Sequence, residues 1–431
     1  MSLPAQRSLW EATAIPAPAL QGPLGGARET EVLIVGAGFA GLSTALELAL
    51  RGVAVTVLEA GRVGEGASGR NGGQVLHGGR HALDELVLRF GWSAAQRLHR
   101  FAFGAVEAAF ALIDRHQLRC DARRAGSIYA ADTDEGVAQV REKLEALQRS
   151  GIAARWLDAS ALESAIGTRA YRGGYFNPNA GSVHPLSLVR ELARAARDAG
   201  ARIHEQTRAL SMQRHGSSWR ITTQDGRVDA RRVLIATNGS AAPLVPALER
   251  SLLRVWSFQV ATEPVPFAGE ALAQGTTVSD TRRLLRYFRQ DAQGRLLVGG
   301  KGTVRAPAGL PSFALQERTL RSLWPHHRET PLGYWWGGEV SVTLGRFPKL
   351  YSLGEDAWAS VACNGKGVAW NLALGAVLAD LLEGVSPEAL PLPPPEPLRP
   401  LPLFPLRRYA AAAGALWLRT LDGLASVRSL S

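Results

Sequence analysis

The chain has 431 residues, too many for one ordinary hydrophobic core, so two domains are expected. Its composition, 46% hydrophobic and 20% charged, argues against a disordered or fibrous chain, and its formal net charge of +11 admits nucleic acid, an anionic membrane or an acidic substrate as partner. The arginines are scattered and no basic block is interleaved with aromatics, which argues against nucleic acid and leaves an arginine-rich surface as the plainest account.

Residues 1–30 carry Pro4, Pro16, Pro18 and Pro23 and read as an extended arm, without the charged start, apolar core and small-residue cleavage site of a secretory signal. No uninterrupted run of about 20 apolar residues suggests a spanning helix. Cys120 and Cys363 are far apart and suggest neither a disulfide framework nor a metal knuckle, so a cytoplasmic protein without a bound metal is expected.

The stretch Glu31 to Glu59 organises the rest. An apolar run, Val32 to Val35, meets Gly36, Gly38 and Gly41 in the pattern G-x-G-x-x-G; a helical pattern follows through Leu50, and a second apolar run ends in Glu59. Gly36 allows a tight turn, Gly38 lets backbone approach a pyrophosphate, and Gly41 lets helix and strand pack closely. The helix start, with Phe39 and Ala40, offers N–H groups to phosphate, and Glu59, beside Ala60, suits the two hydroxyls of an adenosine ribose. The loop Gly64 to Arg80 is rich in glycine and reads as backbone wrapped around that ligand, with Arg62 and Arg70 to neutralise pyrophosphate and Asn71 and Gln74 to meet a polar ring edge. Helical spacing is expected over 84–118 and 135–149, a helix start at Asp158, and a helix from His184-Pro185 to Asp198. A strand is expected at 201–205, a hairpin at 219–228 around Asp225-Gly226, and a separate strand at 231–236 ending in Thr237-Asn238-Gly239, a second approach to the ligand.

Residues 251–345 change character. Strands at 253–261, 284–289 and 296–299 alternate, with aromatics at Trp256, Phe258, Tyr287, Phe288, Tyr334, Trp335 and Trp336, and read as an antiparallel sheet. A strand at 357–362 then meets Asn364-Gly365-Lys366-Gly367 and a helix from Val368 to Leu382, a second glycine turn opening a helix. A proline-rich stretch follows, and the tail Leu406 to Ser431 has basic amphipathic spacing that suits either peripheral contact with an anionic membrane or docking on protein.

The opening unit, GASGRNGGQV at 66–75, His184-Pro185, YFRQDAQGRLLVGG at 287–300 and NGKGV at 364–368 resemble the FAD-dependent D-amino-acid oxidase superfamily. RNGGQ with the RLLVGG hairpin and Thr343 to Pro348 resembles, within it, the gamma-glutamylputrescine oxidase group. The resemblance implies an α/β (α+β overall) fold of glycine/D-amino-acid oxidase type. A discontinuous Rossmann-like FAD-binding domain would span 31–82, 150–245 and 346–390, and an antiparallel substrate domain 83–149 and 246–345, with 391–431 as proline-rich segment and terminal helix. It implies elongated FAD along Gly36, Gly38, Gly41 and Glu59, then Arg62, Ser68, Arg70, Asn71, Gly72 and Gly73, with Gly365, Lys366, Gly367 and Val368 at the pyrimidine end of the flavin. Lys366 stands where similar proteins often have histidine and keeps a positive charge there. Arg70 and Val340 stand where relatives attach flavin covalently, which implies non-covalent FAD.

Relatives acting on amino acids clamp the substrate carboxylate with an arginine in W-x-G-x-R-P; this chain has Trp336-Gly-Gly-Glu339-Val340. An amine is the implied substrate, lying under Trp256, Tyr287 and Trp335 or Trp336, with Glu339 either attracting the cation or pairing with an arginine such as Arg346. His77 is the candidate proton acceptor. Hydride passes to the flavin, the imine hydrolyses, and oxygen or another electron acceptor takes the electrons; a quinone-linked dehydrogenase and a non-catalytic flavin scaffold are the alternatives. Oligomeric state is left open.

Overall fold

The computed structural model describes residues 7–79, 81–361 and 364–401. Two eight-stranded sheets carry it. The first runs in the order Lys349–Gly354, Ala357–Val361, Gly226–Ile235, Gly26–Val35, Val55–Leu58 and Arg202–His204, with Ser211–His215 and Ser218–Thr222 leading off the side of Gly226–Ile235. Every junction from Ala357–Val361 to Arg202–His204 is parallel. Such strands are covered on both faces, which is why they read as unbroken apolar runs; Val32, Leu33, Ile34, Val57, Val233 and Leu234 are all fully buried. Parallel neighbours need crossover helices. Phe39–Leu50 is the first, and it packs between Pro185–Asp198 and Gly367–Leu382.

Register decides where the turns meet. Val35 pairs with both Leu58 and Ile235, so Gly36, Glu59 and the turn after Ala236 leave the sheet at one edge. Ile235 pairs in turn with Ala359, which brings Ala357–Val361 and the turn at 364–367 toward that same edge. All four turns expected to touch the cofactor therefore leave the carboxyl ends of parallel strands.

The second sheet runs Leu332–Val342, Leu253–Thr262, Leu296–Lys301, Arg286–Gln290, Thr277–Asp280, Ser127–Ala131, Gly173–Asn177 and Arg155–Asp158. It is antiparallel except between Thr277–Asp280 and Ser127–Ala131. Its two faces alternate residue by residue. Phe258, Val260, Phe288, Val298, Val278 and Ile128 form a core with Phe313 and with Leu320 and Leu323 of the helix Ala314–Leu323. Ser257, Gln259, Tyr287, Ser279 and Tyr129, one step away in each strand, line a cavity on the other side.

Several expectations change. Arg155–Asp158 and Gly173–Asn177 belong to the second sheet, although the boundary at 150 placed them with the nucleotide domain. Leu83–Phe90 and Trp92–Arg115 were placed with the substrate domain. Yet the long helix buries Leu98, Ala102, Ala105, Val106, Ala109 and Phe110 in one core with Leu42, Leu378 and Leu192 of the nucleotide side. Gly226–Ile235 is one continuous strand rather than a hairpin arm and a separate strand. The N-terminal arm is not simply extended: Leu9–Thr13 forms a short helix whose Leu9 and Trp10 are buried. No helix among the described residues is long and apolar enough to cross a membrane. The expected helix at 406–431 lies outside the described residues.

Candidate active site

The glycine pattern works through contact distances. A Cβ on Gly41 would lie 2.0 Å from Gly36 O, and one on Gly36 would lie 2.9 Å from Ala236 O, where φ is also +109°. Only hydrogen fits at both places. The helix that follows has no side-chain cap on Gly38; Phe39 N donates to Ser68 Oγ at 3.0 Å. Glu59 is half-buried, its two oxygens accepting from Ala37 N and Gly61 N at 2.9 Å each. Burial pushes its carboxyl up from the usual range and the two N–H bonds oppose that. Each oxygen retains a further lone pair for a ribose hydroxyl. Arg62 and Ala60 are exposed and do not line the cavity.

The cavity measures about 1170 Å³, above the usual range of a single small-ligand pocket. From the nucleotide side it is lined by Gly38, Phe39 and Ala40, by Ser68, Arg70, Asn71 and Gly72, by Asn238, and by Gly365, Lys366, Gly367 and Val368. Two helix starts, at Phe39 and at Gly367, neither capped by the side chain of the residue before it, thus border one space. Asn238 adopts φ +53°, and its Oδ1, like Thr237 Oγ1 beside it, is buried without a partner among the described residues. Such atoms call for a ligand. Asn364, also at positive φ, ties its turn to the end of the second sheet: its Oδ1 accepts from Thr343 N at 2.9 Å and its Nδ2 donates to Phe347 O at 3.2 Å.

The side chains of the Gly-rich loop bond to its own backbone and to neighbouring elements. Asn71 Nδ2 donates to Ser68 O at 2.8 Å and its Oδ1 accepts from Gly73 N at 2.8 Å, while Gln74 Nε2 donates to Val278 O at 3.1 Å. These two are expected to meet a ring edge; both line the cavity, with the polar atoms named already bonded within the protein. Arg70, expected on pyrophosphate, donates from Nε to Glu65 O at 2.8 Å and pairs with Glu11 at 3.3 Å. Gly73 lies outside the lining, at φ +70°, where a Cβ would meet Val183 O at 2.3 Å.

Facing this backbone is the polar side of the second sheet. Register places Trp336, Gln259, Gly299, Tyr287, Ser279, Tyr129, Tyr175 and Trp156 in one row across all eight strands. Gly299 leaves room for the Tyr287 ring, which would stand 2.2 Å from a Cβ there. Tyr287 Oη is 2.8 Å from Ser257 Oγ, and burial pushes the phenol up to about 12, so it stays protonated. Trp256 also lines the cavity, as expected. Trp335 and Trp336 do not. Trp336 is fully buried under the Gly-rich loop, donating from Nε1 to Arg70 O at 3.1 Å, and Trp335 pairs its backbone with Arg7. Tyr129, Tyr175, Phe103 and His99 line the cavity and were missed. They come from 99–177, where no short motif marks them.

Three charged or titratable candidates resolve differently. Glu339 lines the cavity and is bound by Arg254, which also holds Glu249, so the pairing reading fits, with a different arginine from Arg346. His77 lines the cavity stacked on Phe103 at 4.9 Å, with Nδ1 unpartnered among the described residues. Burial first, then Lys366 and His99, hold its imidazole down to about 3, so it is neutral at pH 7 and a weak proton acceptor. Lys366 stands at the start of Gly367–Leu382 and lines the same space.

Glycine contacts that only backbone satisfies, two helix starts and buried orphan oxygens fit an elongated dinucleotide ending at the second sheet. The family described as FAD dependent oxidoreductase (DAO) matches residues 31–381. The chain is 32% identical to gamma-glutamylputrescine oxidoreductase of Escherichia coli, over 82% of this chain and 84% of that protein. It is 30% identical to a probable oxidoreductase, OrdL, of Haemophilus influenzae, over 84% and 85%. Glycine oxidase from Geobacillus kaustophilus superposes with TM-score 0.70 at 23% identity, covering 83% of this chain and 96% of that one. The chain belongs to the DAO family of FAD-dependent oxidoreductases, enzymes acting on amines or amino acids.

Proposed function

We propose that the protein oxidises the C–N bond of an amine of the gamma-glutamylputrescine type, with FAD held non-covalently and oxygen as acceptor. The observation that carries this is at the strand Leu332–Val342. It presents Glu339 and Val340 to the cavity, at the place where the amino-acid pattern would set a carboxylate-clamping arginine. The relative at 32% identity supports the same substrate class. FAD, when bound, supplies the hydride acceptor.

The residues of the chain do the rest. Gly36 to Ala40 and Glu59 would hold the adenosine half, and Gly72, Asn238 and Gly365 to Val368 the flavin half. Trp256 and Tyr287 form an aromatic floor that excludes water from the reacting carbon. Ser257 orients the Tyr287 hydroxyl. Glu339 is already neutralised by Arg254, and Asp280, another acid of the lining, is bound by Arg286, so the cavity offers no uncompensated carboxylate at either place. The amine reacts as the neutral base, having lost its ammonium proton before transfer. Lys143 and Arg149 line the cavity as well and suit the carboxylate of a glutamyl head.

Anaerobic mixing of the holoenzyme with gamma-glutamylputrescine, plain diamines and amino acids tests the reading. Flavin absorbance should bleach with the first and return in air with one equivalent of hydrogen peroxide. Bleaching by amino acids alone would refute the amine assignment, and slow return in air would refute oxygen as acceptor.

A further inference from the structure

The short helix Leu9–Thr13 precedes the family match, which begins at residue 31, yet it is built into the cofactor wall. Trp10 is 1% exposed. Its Nε1 donates to Asn71 O at 2.9 Å. Its ring meets Trp336 edge-on at 5.6 Å and His184 at 4.9 Å, and the buried Arg289 guanidinium lies 5.1 Å from its centroid. Arg289 in turn donates to Val183 O at 3.0 Å, and Val183 N donates to Gly73 O at 2.8 Å. The next carbonyl back, Arg70 O, accepts from Trp336 Nε1 at 3.1 Å and from Gln259 Nε2 at 2.7 Å. Arm, nucleotide domain and second sheet thus converge on one turn, Arg70 to Gly73.

We propose that Trp10 is a positioning residue of the flavin site: by holding Asn71 O it sets the Asn71–Gly72 peptide so that the Gly72 N–H faces the cavity. The reason is planar geometry. In a trans peptide the C=O and N–H point in opposite directions, so fixing one end aims the other. Gly72 lines the cavity, whereas Trp10 lies behind the loop. Side chains cannot do this work from the cavity side, because Asn71 is already bonded within its own turn and a Cβ on Gly72 would stand 2.7 Å from the Tyr287 ring. The arm is held in place independently. Arg7 and Trp335 exchange backbone hydrogen bonds at 3.1 and 3.0 Å, and Thr13 Oγ1 lies 3.0 Å from His184 Nε2. The arm is therefore a strap anchored at both ends with its one indole on the cofactor loop.

Trp10→Phe keeps an aromatic, though smaller, ring and removes the donor; Thr13→Val loosens the same arm without touching the loop. FAD release from each holoenzyme on dilution, followed by flavin fluorescence, should show affinity weakened roughly ten-fold in Trp10→Phe and unchanged in Thr13→Val, with a shifted flavin absorption band in the former only. Equal weakening in both variants, or none in either, overturns the proposal. This readout needs no amine, so it stands apart from the substrate reading.

Discussion

The two sheets build their halves of the site by different means. At the edge of the parallel sheet the working surface is backbone: glycines, helix starts and one half-buried acid. On the second sheet it is a row of side chains, Gln259, Tyr287, Ser279, Tyr129 and Tyr175, aligned by strand register. A backbone site tolerates no added atom, because carbonyls cannot turn aside. A side-chain site has rotamers that can. The first should therefore fail outright when perturbed, and the second should fail in chemistry before it fails in folding.

Gly41→Ala tests the first half and should have the largest effect. The new methyl would sit 2.0 Å from Gly36 O and 3.3 Å from Ile34 Cγ2. A loss on the order of 3 kcal/mol is expected, so the variant should purify without flavin and melt well below wild type. Gly299→Ala is the matching change on the second sheet. Its methyl would meet the Tyr287 ring at 2.2 Å, and the ring can swing away at the expense of its Ser257 bond. This variant should keep its flavin absorbance and lose ten-fold or more in kcat/KM for the amine, about 1.4 kcal/mol. If both variants lose flavin alike, the contrast between the halves is wrong.

A smaller effect should follow pH. Burial is the first cause of the depressed imidazoles of His77, held down to about 3, and His184, held down to about 4, against an ordinary 6.5. Below pH 6.5 the unfolded chain takes up protons that the folded chain refuses. Stability is thus full above 6.5 and falls as pH drops toward 4, by up to a few kcal/mol for each such histidine. Melting temperatures of wild type and His77→Asn between pH 7 and 4.5 should diverge in slope, the variant being flatter; parallel curves would remove His77 from the account. The same neutrality means that His77 should add no ionisation to kcat/KM between pH 5 and 8.

How much of this was legible follows the same division. The turns at Gly36, Arg70 to Gly73 and Asn364 to Gly367 were readable because each is a local cluster of small residues beside an apolar run. Their meeting place follows from parallel register, which apolar patterning also signals. The cavity lining contributed by the second sheet was not readable beyond Trp256, Tyr287 and Glu339. Ser127–Ala131 and Thr277–Asp280 pair in parallel across some 150 residues of chain, and Tyr129 and Tyr175 carry no signal that separates a cavity residue from a core one. Trp336 shows the converse error: a tryptophan beside a glycine pair suggested a substrate wall, but the Gly-rich loop covers it and takes its N–H. Trp10 was hidden because proline spacing around it argued for an extended arm, and five helical residues are too few to show a period.

Glu339 gives the smallest effect and the finest test of the second sheet. As a bare counter-ion for the substrate it should matter greatly: removing a carboxylate that meets an ammonium directly costs at least ten-fold in KM. In the structure Arg254 occupies it instead, and Arg254 is held on its other side by Glu249 at 2.6 Å. Glu339→Gln leaves that second pair intact and a neutral acceptor for the first. The Arg254 side chain is about one-third exposed (34%), so solvent screening limits the loss of the ion pair to about 1 kcal/mol or less. KM for the amine should then change less than about three-fold, with a melting temperature within a few degrees of wild type. A ten-fold rise in KM at unchanged stability would mean that Arg254 yields Glu339 to the arriving amine, and that the charge of this face is set by the substrate rather than by the fold.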